Sequence, residues 1–383
     1  MAMRQAIGAL PVIDHHCHSL APLEAPLTEE EALALFSESD ERDQALHHVP
    51  TSLFFRRAVK DWSALLGCEP TLKAVLRARQ AQDLAAYGSR LVAEAKIAAL
   101  LVDEGFPPGN LPALELASLL PCPVYPILRL ETLLERLVQD EQDFEAFQGR
   151  YRQEVEAAAA RGCVALKSII AYRSGLALEP TTPQEAGEAF TEVRRDAERR
   201  GAVRLTHKRL LDYCIWQAVG MSAGLQVPFQ FHTGFGDADL DLRLSNPLHL
   251  RRLLEDEVTQ EASIVLLHAA YPFVREAGYL VSLYANVYVG LSLAIPFVHF
   301  SMVSLLGDLL GIAPWSKVLY GSDGFTIPEL YWWGATHGKE ALAAALGEIV
   351  AYGALTEDEA LEAAAAILHD NARDLYRLEV PER

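Results

Sequence analysis

Cysteine is scarce and unpatterned in this chain. Cys17, Cys68, Cys122, Cys163 and Cys214 are an odd five, widely spaced, with no Cys-x-x-Cys pair. That excludes a disulfide framework and a zinc ribbon, and implies free thiols in a reducing cytoplasm. Basic residues are also in deficit, 33 Lys and Arg against 52 Asp and Glu, for a formal net charge of -19. Nucleic acids and anionic membrane surfaces select basic patches, so neither is an expected partner. A secretory leader is not expected either, because the start "MAMRQAIGALPVID" has no long apolar stretch. No Pro/Gly/Ser linker, low-complexity tract or tandem repeat divides the chain, and the reading is one domain over 1–383. What remains, 51% apolar and 22% charged residues, is a globular balance.

One stretch, "AGYLVSLYANVYVGLSLAIPFVHFSMVSLLG" from Ala277 to Gly307, carries no Asp, Glu, Lys or Arg. Its length matches a bilayer. Asn286, Pro296 and His299 interrupt it, however, and "NVYVGLS" has the β-branched and aromatic content of a strand. A helix, a buried strand, a loop and a helix are expected there instead of a membrane span.

Eight short apolar runs that end in polar turn residues mark candidate buried strands. They are "LPVIDHH" (10–16), "IAALLVDEG" (97–105), "PVYPILRL" (123–130), "VALKSII" (164–170), "VPFQFHTG" (227–234), "SIVLLHA" (263–269), "NVYVGLS" (286–292) and "KVLYGSDG" (317–324). Helix-like segments lie between them, which predicts parallel βαβ units. Eight such units predict an α/β fold, a distorted (β/α)8 TIM-type barrel. Helical insertions follow the first strand, at about 28–90, and the fourth, at 171–226. Insertions after barrel strands fall on the active-site face, as lids or as contacts between copies of a homo-oligomer.

The segment "PVIDHHCHSL" (11–20) sets an acid and three histidines within five residues. On a regular strand Asp14, His16 and His18 would share one face, with His15 and Cys17 on the other. Two imidazoles on one face can grip a metal ion, but roughly 0.4 His-x-His pairs are expected by chance, so the motif needs company. Company is present at other strand ends. Lys167 lies in the fourth run, His232 and His268 end the fifth and sixth, and Asp323 ends the eighth. In a parallel barrel these ends open on one face and converge. Singly, each histidine reads as a hydrogen-bonded structural residue and Asp323 as a turn residue; jointly they read as a metal centre.

The motifs "IDHHCH", "LKSIIAYRSGL", "FHTGFGDADLDL", "LLHAAYPFVREAGYLV" and "VLYGSDG" resemble the amidohydrolase superfamily. More narrowly, they resemble the metal-dependent hydrolase domain that some organisms fuse to a glutamine-synthetase-like domain, of which no counterpart follows the eighth strand here. The resemblance implies one or two divalent ions, usually zinc. It implies His16, His18 and Asp323 on a first ion, His232 and His268 on a second, and Lys167, carboxylated by carbon dioxide, bridging both. A single-ion form would use His16, His18, His232 and Asp323, leaving His268 to polarise the substrate. A hydroxide formed on the ion would attack a carbonyl, and Asp323 would carry the proton to the leaving amine.

Arg129, Arg173 and Arg275 follow the third, fourth and sixth strands and are candidate partners for a substrate carboxylate, or else pair with structural acids such as Glu131 or Glu276. Asp103 and Glu104 read as turn residues or as an amine site. Asp237, Asp239 and Asp241 lack the twelve-residue calcium-loop pattern and its terminal Glu. Cys17, Tyr271, Tyr279 and the "YWW" at 331–333 read as packing. The expected activity is hydrolysis of an amide or related C–N bond of a small carboxylate-bearing molecule. The alternatives are a metal-dependent decarboxylase or other lyase on the single-ion site, and a non-enzymatic barrel scaffold.

Overall fold

The computed structural model describes residues 2–22, 26–104 and 106–380. Eight parallel strands follow one another around a barrel in chain order. They are β1 (Val12–His18), β2 (Ile97–Asp103), β3 (Val124–Arg129), β4 (Ala165–Ser168), β5 (Phe229–Phe231), β6 (Ile264–Leu266), β7 (Val287–Gly290) and β8 (Val318–Leu319). Each lies inside or across the apolar run that predicted it. The barrel is distorted at its seam. β8 spans only Val318–Leu319, and its extension joins β1 through separate bonds: His15 N–H to Tyr320 O at 3.2 Å, Asp323 N–H to His16 O at 3.1 Å and His18 N–H to Gly324 O at 2.8 Å.

The uncharged stretch 277–307 folds as the expected succession of helix, strand and helix: helix Val274–Leu283, then β7, then helices Ala294–Val298 and Met302–Leu310. Among the described residues, no helix is long and apolar enough to cross a membrane.

The connection from β1 to β2 carries helices Glu29–Ala34, Leu53–Leu66, Leu72–Gln80 and Leu84–Glu94. Thr28, Ser52, Thr71 and Asp83 start them, each accepting a backbone N–H from the first turn. Phe36, Phe54, Phe55, Trp62 and Val75 give this insertion its own apolar core, closed by Ile327, Leu330 and Trp333 from the segment after β8. Phe54 stands between Phe36 and Trp333, with ring centroids 4.6 and 4.8 Å away. At roughly 1.5–3 kcal/mol per buried large side chain, this cluster fixes the insertion over the rim of the barrel. The β4 to β5 connection adds helices Pro183–Arg200 and Lys208–Leu225.

Along β1 the simple alternation fails. Asp14 is in register with Leu100 and Cys17 with Val102, so β1 spends three steps where β2 spends two. That extra residue is a bulge, and a bulge re-aims the side chains beside it. His15 and His16 both enter the barrel: His15 Nδ1 lies 3.1 Å from Tyr376 Oη, and His16 Nδ1 lies 2.8 Å from Gln230 Oε1. Gly290 of β7 makes room, because a Cβ there would overlap the His15 ring. Asp14 turns outward to the side of Cys17 and Tyr320 and accepts from Ser322 N–H and Oγ. The expected Asp14–His16–His18 face is therefore corrected to His15, His16 and His18.

Candidate metal centre

Strand register assembles the centre. Arg129, Lys167 and Gln230 stand side by side across β3, β4 and β5, and His18 stands beside Asp103 on β1 and β2. His232, His268 and Asp323 follow the ends of β5, β6 and β8. All six residues expected to hold metal are buried at the same mouth of the barrel. His16 Nε2 lies 3.2 Å and His18 Nε2 3.8 Å from Asp323 Oδ1. Lys167 Nζ lies 3.0 Å from His16 Nε2, and His268 Nε2 lies 2.9 Å from His232 Nδ1. Two triplets bring their ligand atoms within 4.8 Å of one another: His16, His18 and Asp103, and His16, His268 and Asp323.

The outer partners of each ring decide where its lone pair points. Gln230 Nε2 donates to His15 O at 3.0 Å, so its Oε1 faces His16 and can only accept. His16 Nδ1 therefore carries the hydrogen, and Nε2 offers a lone pair to the cluster. His18 Nδ1 faces the Asp103 carbonyl at 3.2 Å, which leaves its Nε2 bare as well. His232 Nε2 faces the Phe235 carbonyl at 3.0 Å, so its lone pair is on Nδ1. His268 differs. Its Nδ1 receives Ser292 Oγ at 2.9 Å and Leu293 N–H at 3.4 Å, which puts the hydrogen on Nε2.

The imidazole lone pairs of His16 and His18 thus face the Asp323 carboxylate, while that of His232 faces the Nε2–H of His268. Asp323 Oδ1 is buried there without a hydrogen-bond donor. Lone pairs set against a carboxylate oxygen repel unless a cation lies between them, so this donor set fits a divalent ion. The ordinary transition-metal ligands His and Asp are right for zinc, and equally for other divalent first-row metals.

Burial depresses the basicity of His16, His232 and His268, with the Lys167 charge and neighbouring rings adding to it. His18 is drawn down to about 4 by burial. Neutral imidazoles are the ligand form. Burial pushes the Asp323 carboxyl up, opposed by His18 and Lys167. Asp103 is buried too, but Arg129 and Lys167 outweigh that and hold it well below the usual carboxylate range. Strain collects at the same place: His268, Ala269, Ala270 and Asp323 take φ of 64, 50, 49 and 54°, a region that non-glycine residues rarely occupy.

A cavity of about 370 Å³ opens from the cluster and is lined by His18, Lys167, His232, His268 and Asp323. Arg129 and Arg173 also line it. Arg129 grips Asp103 through Nε at 3.1 Å and a terminal nitrogen at 2.6 Å; Arg173 reaches Glu135 at 3.4 Å. Neither uses the acids the sequence pointed to. Arg275 is not at this cavity: it is exposed on the outer helix Val274–Leu283 and pairs with Asp308 at 3.0 Å. It sits one position beyond the helix start, where the turn already faces away from the barrel.

Sequence reasoning missed Gln230, Ser292 and Glu38. Gln230 had a signal, a lone amide inside the apolar run "VPFQFHTG". Ser292 had one too, as the polar end of the seventh run "NVYVGLS"; Glu38, in the insertion, had none.

Comparison with known proteins agrees with this architecture. The amidohydrolase family model matches residues 139–378. Protein FluG of Emericella nidulans is 29% identical over 98% of this chain, and the chain spans 47% of FluG. A crystal structure from Lactobacillus casei, described only as a metal-dependent hydrolase, is 30% identical, with TM-score 0.87 over 98% of this chain and 97% of that one. Glucuronate isomerase from Caulobacter crescentus shares the fold at 16% identity, with TM-score 0.68 over 100% and 94% of the two chains. On the match of its family model, the barrel and the order of its strand-end residues, the chain belongs to the amidohydrolase family.

Proposed function

We propose that the chain is a metal-dependent hydrolase that cleaves an amide or related C–N bond of a small carboxylate-bearing substrate. The observation that carries the reading is the two lone pairs of His16 and His18 set against Asp323 Oδ1, which is buried without a donor. A divalent cation bound there, zinc in this reading, supplies a nucleophilic oxygen from water at neutral pH and polarises a carbonyl. His16, His18, His232 and Asp323 hold it in the single-ion form.

The remaining groups have distinct work. The Nε2 hydrogen of His268, held by Ser292 behind it, faces His232 Nδ1 in this structure, and with His232 on the ion it would be free to donate to the carbonyl oxygen as negative charge builds there. Asp323 takes the proton of the attacking water and returns it to the departing amine. Arg173 binds the substrate carboxylate. Phe106, Leu293 and Phe325 line the same cavity and exclude bulk water. The free cysteines fit a cytoplasmic setting.

A two-ion form has one observation in its favour: the two ligand-capable triplets share His16 and diverge toward Asp103 and His268. Lys167, carboxylated, would then join the ligands. Metal analysis with intact-mass spectrometry under native conditions separates the forms, one equivalent for the first, two with a carbon dioxide adduct for the second. An amide panel tests the reaction: amine release supports the hydrolase, and carbon dioxide release identifies a lyase. Turnover surviving in Asp323→Asn would remove the proton-transfer assignment.

A further inference from the structure

The cavity above the metal centre holds charges of both signs, and most of them cancel locally. Arg129 is committed to Asp103, and Arg204 to Asp239 at 2.5 Å. Arg173, Glu38 and Asp237 are not so committed, and neither is the more exposed Asp40. Arg173 is 10% exposed at the side chain, has a single long contact to Glu135, and its buried Nε has no partner. Glu38 and Asp237 line the same cavity as Arg173, near enough for Asp237 to act on Glu38, and no Lys or Arg hydrogen-bonds or ion-pairs with either among the described residues.

Two acids that line one cavity without a basic partner favour a shared proton or a cation between them. Burial pushes both upward, Asp237 to about 6 with Asp239 adding to it, and Glu38 well above its ordinary value with Asp237 the largest charge acting on it. Both acids line the cavity that His18, His232, His268 and Asp323 also line, so the pair stands above the candidate metal ligands. An ammonium group suits the pair, since it brings three donors and a positive charge to two acceptor-only groups. The two come from different elements: Glu38 from the insertion after β1, Asp237 from the loop after β5. Arg173 lines the same cavity, and its guanidinium has donor capacity that its one long contact to Glu135 leaves for an anion.

We infer that the site takes substrates that carry an ammonium group together with a carboxylate, the ammonium bound by Glu38 and Asp237 and the carboxylate by Arg173. The inference rests on the hydrolase site proposed above and names its substrate class, amides of amino-acid type. It makes the insertion a specificity element, because Glu38 supplies half of the ammonium site.

Calorimetric binding to the zinc-loaded full chain tests it with ligand pairs that differ only in the amino group: glutamate and glutarate, alanine and propionate, phenylalanine and 3-phenylpropionate. In at least one pair the amino form should bind about tenfold tighter or more, the scale of charged hydrogen bonds. The double substitution Glu38→Gln/Asp237→Asn should abolish that preference while the deamino ligand binds no more weakly, which also reports that the variant is folded. Arg173→Met should weaken both members of the pair. The inference is overturned if no ligand binds, if the amino form is never preferred, if the preference survives the double substitution, or if that substitution instead removes an equivalent of bound zinc. An amino preference without hydrolysis of any amide would leave this inference standing and remove the hydrolase reading; hydrolysis without the preference would do the reverse.

Discussion

Gln230 Nε2 binds the carbonyl of His15 and, through the same amide plane, turns Oε1 to His16 Nδ1 at 2.8 Å. Nε2 also reaches Tyr376 Oη at 2.9 Å. One residue thus sets the tautomer of its neighbour from behind, using the backbone that the β1 bulge turns inward.

Replacing Gln230 by Leu frees the His16 ring to rotate and to place its hydrogen on either nitrogen. Affinity for the divalent ion should fall roughly 10- to 100-fold, the usual cost of losing such a partner. Competition against a chelator of known affinity measures it. Unchanged affinity would mean that Gln230 does not orient the ligand.

Asp323 gives opposite signs in the two states of the protein. Without a cation, its buried Oδ1 lacks a donor and faces imidazole lone pairs. Asp323→Asn brings an N–H donor to that point, and should stabilise the metal-free protein by about 1–2 kcal/mol. With the ion bound the same change removes a charged ligand and should lower thermal stability. Melting curves with and without a chelator should therefore cross over between wild type and variant. A destabilised metal-free variant would contradict the lone-pair assignment.

How far this was legible in the sequence depends on how local each signal is. Buried parallel strands are short apolar runs, so all eight could be marked, and residues ending them had to meet at one mouth. That is why His16, His18, Lys167, His232, His268 and Asp323 could be grouped although up to 307 positions separate them. The bulge at Asp14–Cys17 was not legible, because period-two reasoning assumes regular pairing, and the extra residue is defined only by the partner strand. Arg275 failed for a related reason: position after a strand does not say which side of the next helix a residue takes. Glu38 and Asp103 gained their meaning from neighbours on other elements.

The insertion is also tied to the barrel by charge. Arg79, on helix Leu72–Gln80, binds Glu329 at 2.6 Å, and both side chains are almost wholly buried. Breaking one half leaves an uncompensated buried charge, so Arg79→Met should cost about 3–5 kcal/mol. Arg79→Met with Glu329→Leu should recover most of that loss. Denaturant unfolding of the two variants checks it, and an equal cost in both would mean that packing, and not the ion pair, is at stake.

Lys339 offers a test of pH dependence away from the metal centre. Its Nζ donates to Ala95 O at 2.8 Å, and burial, with Lys96 nearby, draws it from 10.5 to about 8. Between those two values the unfolded chain binds a proton that the folded chain does not, so this group makes stability rise with pH there. Below the folded value both states are charged and the full penalty of burial applies, on the order of 3 kcal/mol for such a shift. Lys339→Met carries no such penalty. Its stability relative to wild type should therefore be most favourable near neutral pH and decline as pH rises from about 8 to 10.5. Denaturant midpoints of both proteins across that window measure the difference, in which the titration of all other groups cancels. A difference independent of pH would show that Lys339 keeps its charge at no cost, by reaching solvent.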